Sequence, residues 1–257
     1  MAYIYGRNPV LEALQAGKPI QKIYIQHGNQ SGKIRQIYHL ARQEKIAVTN
    51  ADSKKLRQMV GDSIHQGIVA LISPVRILAF DELLGTLSQQ FKATKKRQEP
   101  NRISSLSLVI ADRIQDPHNM GAIIRSAEVF GAQGVIFSTR ETVPITETVV
   151  KASAGAALHC PLYRADNLGQ AIDRLKKTNF WIYGAALDTD ALIWEVDFNR
   201  HCAIIIGSEE KGIRPSLQKK CDQLFKIPQF GKTQSLNASV AAGIVLSEMK
   251  RQQANQR

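Results

Sequence analysis

The sequence predicts an α/β protein in two parts, a small strand-and-helix unit followed by a larger segment built on a mostly parallel, doubly wound sheet. Three observations carry that expectation. Short apolar runs rich in β-branched residues alternate with helical spacings along most of the chain. A polar, basic stretch interrupted by Pro100, residues 92–105 (KATKKRQEPNRISS), divides the two parts and has no apolar period to bury. The charge divides there too. Residues 1–105 carry 16 basic and 7 acidic side chains, net +9, whereas residues 106–257 carry 18 and 15, net +3.

In the first part, residues 1–78, the alternation of KIYIQ (22–26) reads as a strand. Residues 33–44 place Ile34, Ile37, Tyr38 and Ala41 on one helical face. IAVT (46–49) is a short strand, 53–60 a short helix opened by a serine cap, and GIVALI (67–72) a buried strand. Residues 80–91 form a helix that leads into the linker, so 79–105 is a helix and basic spacer. The second part, 106–257, opens with the buried strand LSLVIA (106–111). A loop and a helix over 120–130 follow, ended by Gly131, and then the strand GVIFS (134–138). Helices over 146–154 and 168–177 flank a strand near 159–163. Strands at 180–185, 202–207 and 224–227 precede a final helix over 238–251.

Composition narrows the function classes. Hydrophobic residues make up 44% and charged residues 22% of 257, which excludes a wholly disordered or fibrous chain. No apolar run approaches the ~18 residues of a membrane span, and the N-terminal residues lack a basic region followed by an apolar core. The expected compartment is therefore the cytoplasm, without a membrane partner. Cys160, Cys202 and Cys221 are odd in number and lack metal-ligand spacing, which fits a reducing environment without zinc. The six histidines never pair as H-x-x-x-H, and no metal is expected. No G-x-G-x-x-G follows the strand at 106–111, and no G-x-S-x-G elbow is present. Gly231-Lys232-Thr233 resembles the end of a phosphate loop, but Lys226 stands where its first glycine belongs. The net +12, concentrated before residue 106, suggests a polyanionic partner, since each neutralised phosphate releases counterions.

Three stretches carry chemistry. The first, from Asp112 to Gly131, begins where a strand ends, the usual ligand position of an open α/β sheet. Asn119 reads as a helix N-cap, Gly121 permits close backbone approach in the first turn, and Arg125 lies off the buried face, alone no more than a solvated helix arginine. The second, Ile204 to Pro215, again ends a strand in a loop, with Gly207 and Gly212 flanking Glu209 and Glu210. Pro215 suits the first turn of a helix. The third, Ile227 to Ile244, runs a polar loop into a helix rich in small residues, and Ser235 and Asn237 taken singly read as caps.

Together, the order N-x-G-x-x-x-R (from Asn119), G-S-E-x-x-G (from Gly207) and I-P-x-x-G-x-x-x-S-L-N-x-S (from Ile227) resembles the SpoU, or TrmH-type, family of RNA ribose 2′-O-methyltransferases. In the first part, Tyr5-Gly-Arg-Asn-Pro-Val-Leu-Glu-Ala-Leu and His65-Gln-Gly-Ile resemble the L30e-like RNA-binding domain of the subgroup that modifies a guanosine in 23S rRNA.

The resemblance implies a parallel sheet with a deep trefoil knot in the C-terminal domain, an L30e-like N-terminal domain, and a homodimer packed near the knot. It implies S-adenosylmethionine as methyl donor, held by Gly207, Gly212, Ile227 and Leu236 with the strand end at Gly184 and Ala185 nearby. It implies catalytic roles for Arg125, Asn119, Glu209, Ser235 and Asn237. Arg125 would contact the ribose oxygen, either as proton acceptor or as a fixed cation beside a developing alkoxide. Glu210 departs from the glycine common in relatives. RNA contacts fall on Arg7 and Asn8 by family match, and on the linker residues Lys92, Lys95, Lys96 and Arg97 by charge alone, where a solvated spacer is the other reading. The expected substrate is 23S rRNA or a ribosome precursor. The alternatives are a tRNA ribose methyltransferase of the same family and a non-catalytic RNA-binding protein that keeps the fold.

Overall fold

A computed structural model of the chain describes residues 3–29, 31–61, 63–96, 105–232 and 235–254. It divides into two units, Met1–Ile77 with Pro144–Glu147, and Leu78–Val143 with Thr148–Arg257.

The first unit runs β1 (Tyr3–Tyr5), α1 (Arg7–Gln15), β2 (Ile20–Gln26), α2 (Gly32–Gln43), β3 (Ala47–Ala51), α3 (Ser53–Val60) and β4 (Ile68–Ile72). Its sheet has the order β1-β4-β2-β3, with β4 antiparallel to both neighbours and β2 parallel to β3. Strand alternation sends Ile23, Ile25, Ile68 and Ala70 to one face. There they pack with Val10 and Leu14 of α1 and with Ile34, Ile37 and Ala41 of α2. Tyr24, Val69 and Leu71 face the other way, onto Leu56 of α3. The cap of α3 is Asp52, one residue before the serine the sequence suggests, and its carboxylate accepts from the Lys55 N–H at 2.7 Å. A carboxylate also complements the helix dipole there. The strand β1 and the helix α1 have no clear signature in sequence. Three residues are too few for alternation, and α1 has no side-chain cap.

The second unit comprises α4 (Phe80–Lys96), β6 (Ser107–Ala111), α5 (Pro117–Val129), β7 (Val135–Phe137), α6 (Glu147–Ala152), β8 (Leu162–Arg164), α7 (Leu168–Lys176), β9 (Trp181–Ala185), β10 (Cys202–Ile206), α8 (Pro215–Gln218), β11 (Gln223–Phe225) and α9 (Ala238–Ala254). The sheet order is β11-β9-β10-β6-β7-β8, with β5 (Ile77–Ala79) at the edge beyond β8. The five pairings from β11 through β8 are parallel. Every residue of β6 and β10 is buried, as central parallel strands require. One face of this sheet packs Leu108, Ile110, Ile182 and Ile205 against Leu83 and Leu87 of α4 and Ile172 and Leu175 of α7. On the other, α5 contacts β6, α9 contacts β10, and α5 and α9 lie against each other.

The helix α4 extends through Lys92–Lys96 of the expected linker, because Ala93, Lys95 and Lys96 are good helix formers and neither glycine nor proline occurs between Lys92 and Pro100. Arg97 and the rest of that stretch to 104 lie outside the described residues. Strand order reverses about β6. From it the chain proceeds to β7 and β8 on one side, and it later returns as β9, β10 and β11 on the other. Ala111 and Ile206 are register partners at the C-terminal ends of β6 and β10, so the loops that follow these strands emerge side by side.

His201 gives this unit a pH-dependent seam. Its Nδ1 accepts from the Leu106 N–H at 3.0 Å, and its ring lies against Phe91 and Phe180. Burial pushes its pKa down from 6.5. The unfolded chain therefore takes up this proton first as pH falls, so the stabilisation is complete above 6.5 and is lost as pH drops through the lower folded value. Urea unfolding between pH 7 and pH 5 is expected to show falling stability, and His201→Asn to flatten that dependence.

Candidate functional site

The loops after β6 and β10 and the segment after β11 meet at the C-terminal edge of the second unit's sheet. Asn237 is the N-cap of α9. Its Oδ1 accepts from the backbone N–H groups of Ser239 (2.9 Å) and Val240 (3.3 Å) and from the Ser239 hydroxyl (2.6 Å). With the oxygen committed to the helix, Nδ2 points away and donates to Asn119 Oδ1 at 2.9 Å. That in turn leaves Asn119 Nδ2 to donate to Glu209 Oε1. The helix N-terminus thus orients two amides in series and delivers a donor to a carboxylate.

Asn119 does not cap α5. Asp116 does, accepting from the His118 N–H at 2.9 Å, with Pro117 in the first turn. Asn119 sits in that turn, 8% exposed, with its amide turned into the site. Gly121 is close-packed as expected, against α6: a Cβ there would meet Ala152 Cβ at 2.5 Å and the Val149 carbonyl oxygen at 2.8 Å.

A second network fixes the 207–214 loop. Asp112, at the end of β6, is fully buried. Its carboxylate accepts from the Arg214 backbone N–H at 2.9 Å and from Arg214 Nε at 2.7 Å. The same guanidinium donates both Nη groups to Glu141, at 2.9 and 2.7 Å. Burial alone would lower the arginine's pKa; its bonds to Glu141 and Asp112 outweigh burial and raise it. Within the loop, the Gly212 N–H donates to the Ser208 carbonyl at 2.8 Å, and Gly212 holds φ of +57°. The loop folds back so tightly that a Cβ on Gly207 would lie 2.1 Å from the Gly212 carbonyl carbon.

These segments enclose a cavity of about 580 Å³, inside the ~300–1,000 Å³ range of small-molecule sites. Ala185, Gly207, Gly212, Ile227 and Leu236, all expected ligand contacts, line it with Glu209 and Ser235. Gly184 does not. It lies within β9, where a Cβ would meet Leu224 at 2.6 Å, so it serves sheet packing. Arg125 also lies away from the lining, exposed on α5 and without a partner among the described residues. Sequence reading missed Asp188, Gln218 and Gln229 on the wall, and Asp112, Glu141 and Arg214 behind it. Only Asp112 carried a signal, as a carboxylate directly after a fully apolar strand.

The wall has apolar faces from Ile206, Ile213, Ile227 and Leu236, and its charges among the described residues are Asp188, Glu209 and Glu210 against Lys211. That balance suits a cationic, aromatic nucleoside and disfavours a polyphosphate. No cluster of metal-ligating side chains occurs among the described residues. Burial pushes all three cysteine thiols up to about 12, so none is a ready nucleophile.

In the first unit, Arg7 lines a separate polar groove, whereas Asn8 accepts from Lys33 Nζ at 2.6 Å outside it. Lys95 and Lys96 lie in the last turn of α4.

Comparison with known proteins gives concordant results. Residues 107–247 match the SpoU rRNA Methylase family, and residues 3–78 match a domain described as RNA 2′-O ribose methyltransferase substrate binding. A protein of Staphylococcus aureus (strain COL), named for the TrmH family of tRNA/rRNA methyltransferases, is 38% identical over 248 residues, 96% of this chain and 95% of its own length. The SpoU methyltransferase AviRb of Streptomyces viridochromogenes has a similar fold, with TM-score 0.59 and 24% identity over 99% of this chain and 90% of its own. Its structure in complex with the cofactor AdoMet gives TM-score 0.58 and 23% identity, covering 98% and 90%.

Asp112→Ala would leave Arg214 without its buried partner. It is expected to cost about 3–5 kcal/mol in urea unfolding. Glu141→Ala, at the solvent end of the same guanidinium, is expected to cost under about 1 kcal/mol. Equal losses would show that the buried pair does not anchor the loop.

Proposed function

The chain belongs to the SpoU rRNA methylase family of S-adenosylmethionine-dependent RNA methyltransferases, and from that premise we propose that it methylates the ribose 2′-hydroxyl of a guanosine in 23S rRNA, in the cytoplasm. The observation that carries the reading is the Asn237–Asn119–Glu209 relay at the wall of a cavity whose charge balance suits a sulfonium nucleoside. S-adenosylmethionine supplies a methyl group already activated on sulfur. The chain's own residues must therefore hold the donor, align the acceptor oxygen and manage one proton. Gly207, Gly212, Ile227, Leu236 and Ala185 hold the donor, with Gly184 supporting the strand end beneath them. Ser235 and Asn237 position the nucleotide, and the relay keeps Glu209 oriented. Alignment alone contributes ~7–11 kcal/mol in favourable cases.

Arg125 contacts the ribose oxygen, as base or as fixed cation, in a site completed by a second copy of the chain. Two features support this. Arg125 shares its exposed helical face with Val129, one turn on. Val240 and Ile244 expose apolar surface on α9, which packs against α5. A homodimer would cover these residues and bring Arg125 to the partner's cavity.

The C-terminal segment closes a deep trefoil knot. The supporting observation is that the chain leaves the edge strand β11, lines the cavity with Ile227 and Leu236 beside the 207–213 loop, and returns as α9 against β10 and α5. The N-terminal unit is an L30e-like domain, and residues 1–78, with Arg7 and Asn8, bind RNA together with the basic spacer 79–105, where Lys95, Lys96 and Arg97 add charge. Residues 106–257 form the methyltransferase domain. A tRNA substrate is the second reading, since relatives are named for both RNAs. A non-catalytic role is disfavoured because all five motif residues are present.

Methyl transfer from labelled S-adenosylmethionine to total bacterial RNA, followed by mapping of the modified nucleotide, tests the reading. A methylated tRNA would move the substrate, and no transfer to any RNA would overturn it. Arg125→Ala is expected to lower turnover about a thousandfold or more while cofactor affinity stays measurable. Near-normal turnover would remove Arg125 from catalysis. Deleting residues 1–76, which leaves β5 and α4 in place on the second unit's sheet, is expected to weaken RNA binding and flatten its salt dependence.

A further inference from the structure

A second cavity, of about 750 Å³, lies wholly within the first unit, where two motifs 59 residues apart come together. Gln66 is the joint. Its side-chain oxygen accepts from the Arg7 N–H at 3.0 Å, and its carbonyl accepts from Arg7 Nε and from Asn29 Nδ2, each at 3.3 Å. Asn29 Oδ1 accepts from Arg7 Nη2 at 3.4 Å. The backbone is held in left-handed conformations at Gln66 (φ +51°) and Gly67 (φ +76°), and a Cβ on Gly67 would meet Asn29 Nδ2 at 2.6 Å. The Arg7 guanidinium is thereby locked along one edge, with Nη1 uncommitted among the described residues.

The rest of the wall is chemically specific. Arg57 adds a second cation, exposed and without a partner among the described residues. No carboxylate lines the groove among those residues. His65 Nδ1 accepts from the Gly67 N–H at 3.0 Å, so the ring presents Nε2 as its donor. Ile64 stands at the wall 83% exposed, an isolated apolar surface among polar groups.

We infer that this groove binds one unpaired nucleotide of the RNA, its phosphate on Arg7 and Arg57 and its base against Ile64, with base edges read by His65 and the amides. The inference rests on the proposed RNA substrate and goes beyond it by assigning the site and the state of the nucleotide. A phosphate alone needs neither this volume nor an apolar wall. A paired base offers no free face to Ile64, whereas loops and bulges splay bases out for face and edge contacts.

The test uses the full-length protein, a fluorescent single-stranded RNA of about 15 nucleotides and a blunt duplex of the same length, about one site in size, with binding followed by anisotropy across a salt series. Arg57→Glu is expected to weaken single-strand binding about tenfold or more and to reduce the salt slope by about one. Ile64→Ala is expected to weaken single-strand binding about threefold or more and to leave duplex binding within about twofold, because only the single strand offers a base face. Both residues are exposed, and unchanged thermal melting and S-adenosylmethionine affinity verify the fold. Equal losses on both RNAs would mean that the groove reads phosphates only, and unchanged binding would mean that it reads nothing; either result overturns the inference. The readout is binding, so a protein that passes this test yet methylates no RNA would refute the reaction and leave the groove standing.

Discussion

A carboxylate buried at the end of β6 sets the terms for the catalytic unit. Asp112 has no access to solvent, so its charge must be met inside the protein, and Arg214 meets it with both backbone and side chain. That pairing fixes where the chain after β10 must be eight residues past Ile206. With Gly207 pressed onto Gly212 at the start of the loop and Arg214 tied down at its end, the 207–214 segment has little freedom. Glu209 can face the site because both ends of its loop are anchored elsewhere. The buried pair is thus a positional device more than a source of net stability, since two desolvated charges offset much of their own attraction.

The sheet was legible because its strands are short, fully apolar and separated by helical spacings, a pattern that parallel strands buried on both faces impose. Local capping was less legible. Asp116 and Asn119 are both good caps three residues apart, and only Pro117, which favours the first helical position, separates them. At α3 the sequence offers Asp52 and Ser53 in succession, and the carboxylate has the helix dipole in its favour. Among the expected ligand contacts, motif matching grouped Gly184 with Gly207. Each needs the absence of a Cβ for a different reason, the first for Leu224 across the sheet and the second for its own loop. Arg214 was invisible as a site residue because its partners lie 102 and 73 positions away.

Charge is partitioned between the two units in a way that suits the two ligands proposed for them. Among the described residues, the cavity of the second unit is lined by three carboxylates and one lysine. The groove of the N-terminal unit carries two arginines and, among the described residues, no carboxylate. The acidic lining favours a cationic donor, and the basic groove favours phosphate. The excess of basic residues before position 106 is concentrated in the part of the chain to which the proposal assigns RNA.

The position of Arg125 bears on why the proposed reaction calls for two copies of the chain. Six residues of helix separate it from Asn119, a rise of about 9 Å and a turn onto a different face, so one chain does not bring both to one point. Asn119 accepts from Asn237 and donates to Glu209, so both ends of its amide are engaged in orienting that carboxylate. Arg125, with no bond among the described residues, has its whole guanidinium free. A free arginine beside exposed Val129 is poorly used in an isolated chain. In the proposed homodimer, an apolar contact between two copies would desolvate it next to the oxygen that must lose a proton. There a guanidinium's field is strengthened by the loss of water, and its planar donors can reach an alkoxide and a neighbouring phosphate together.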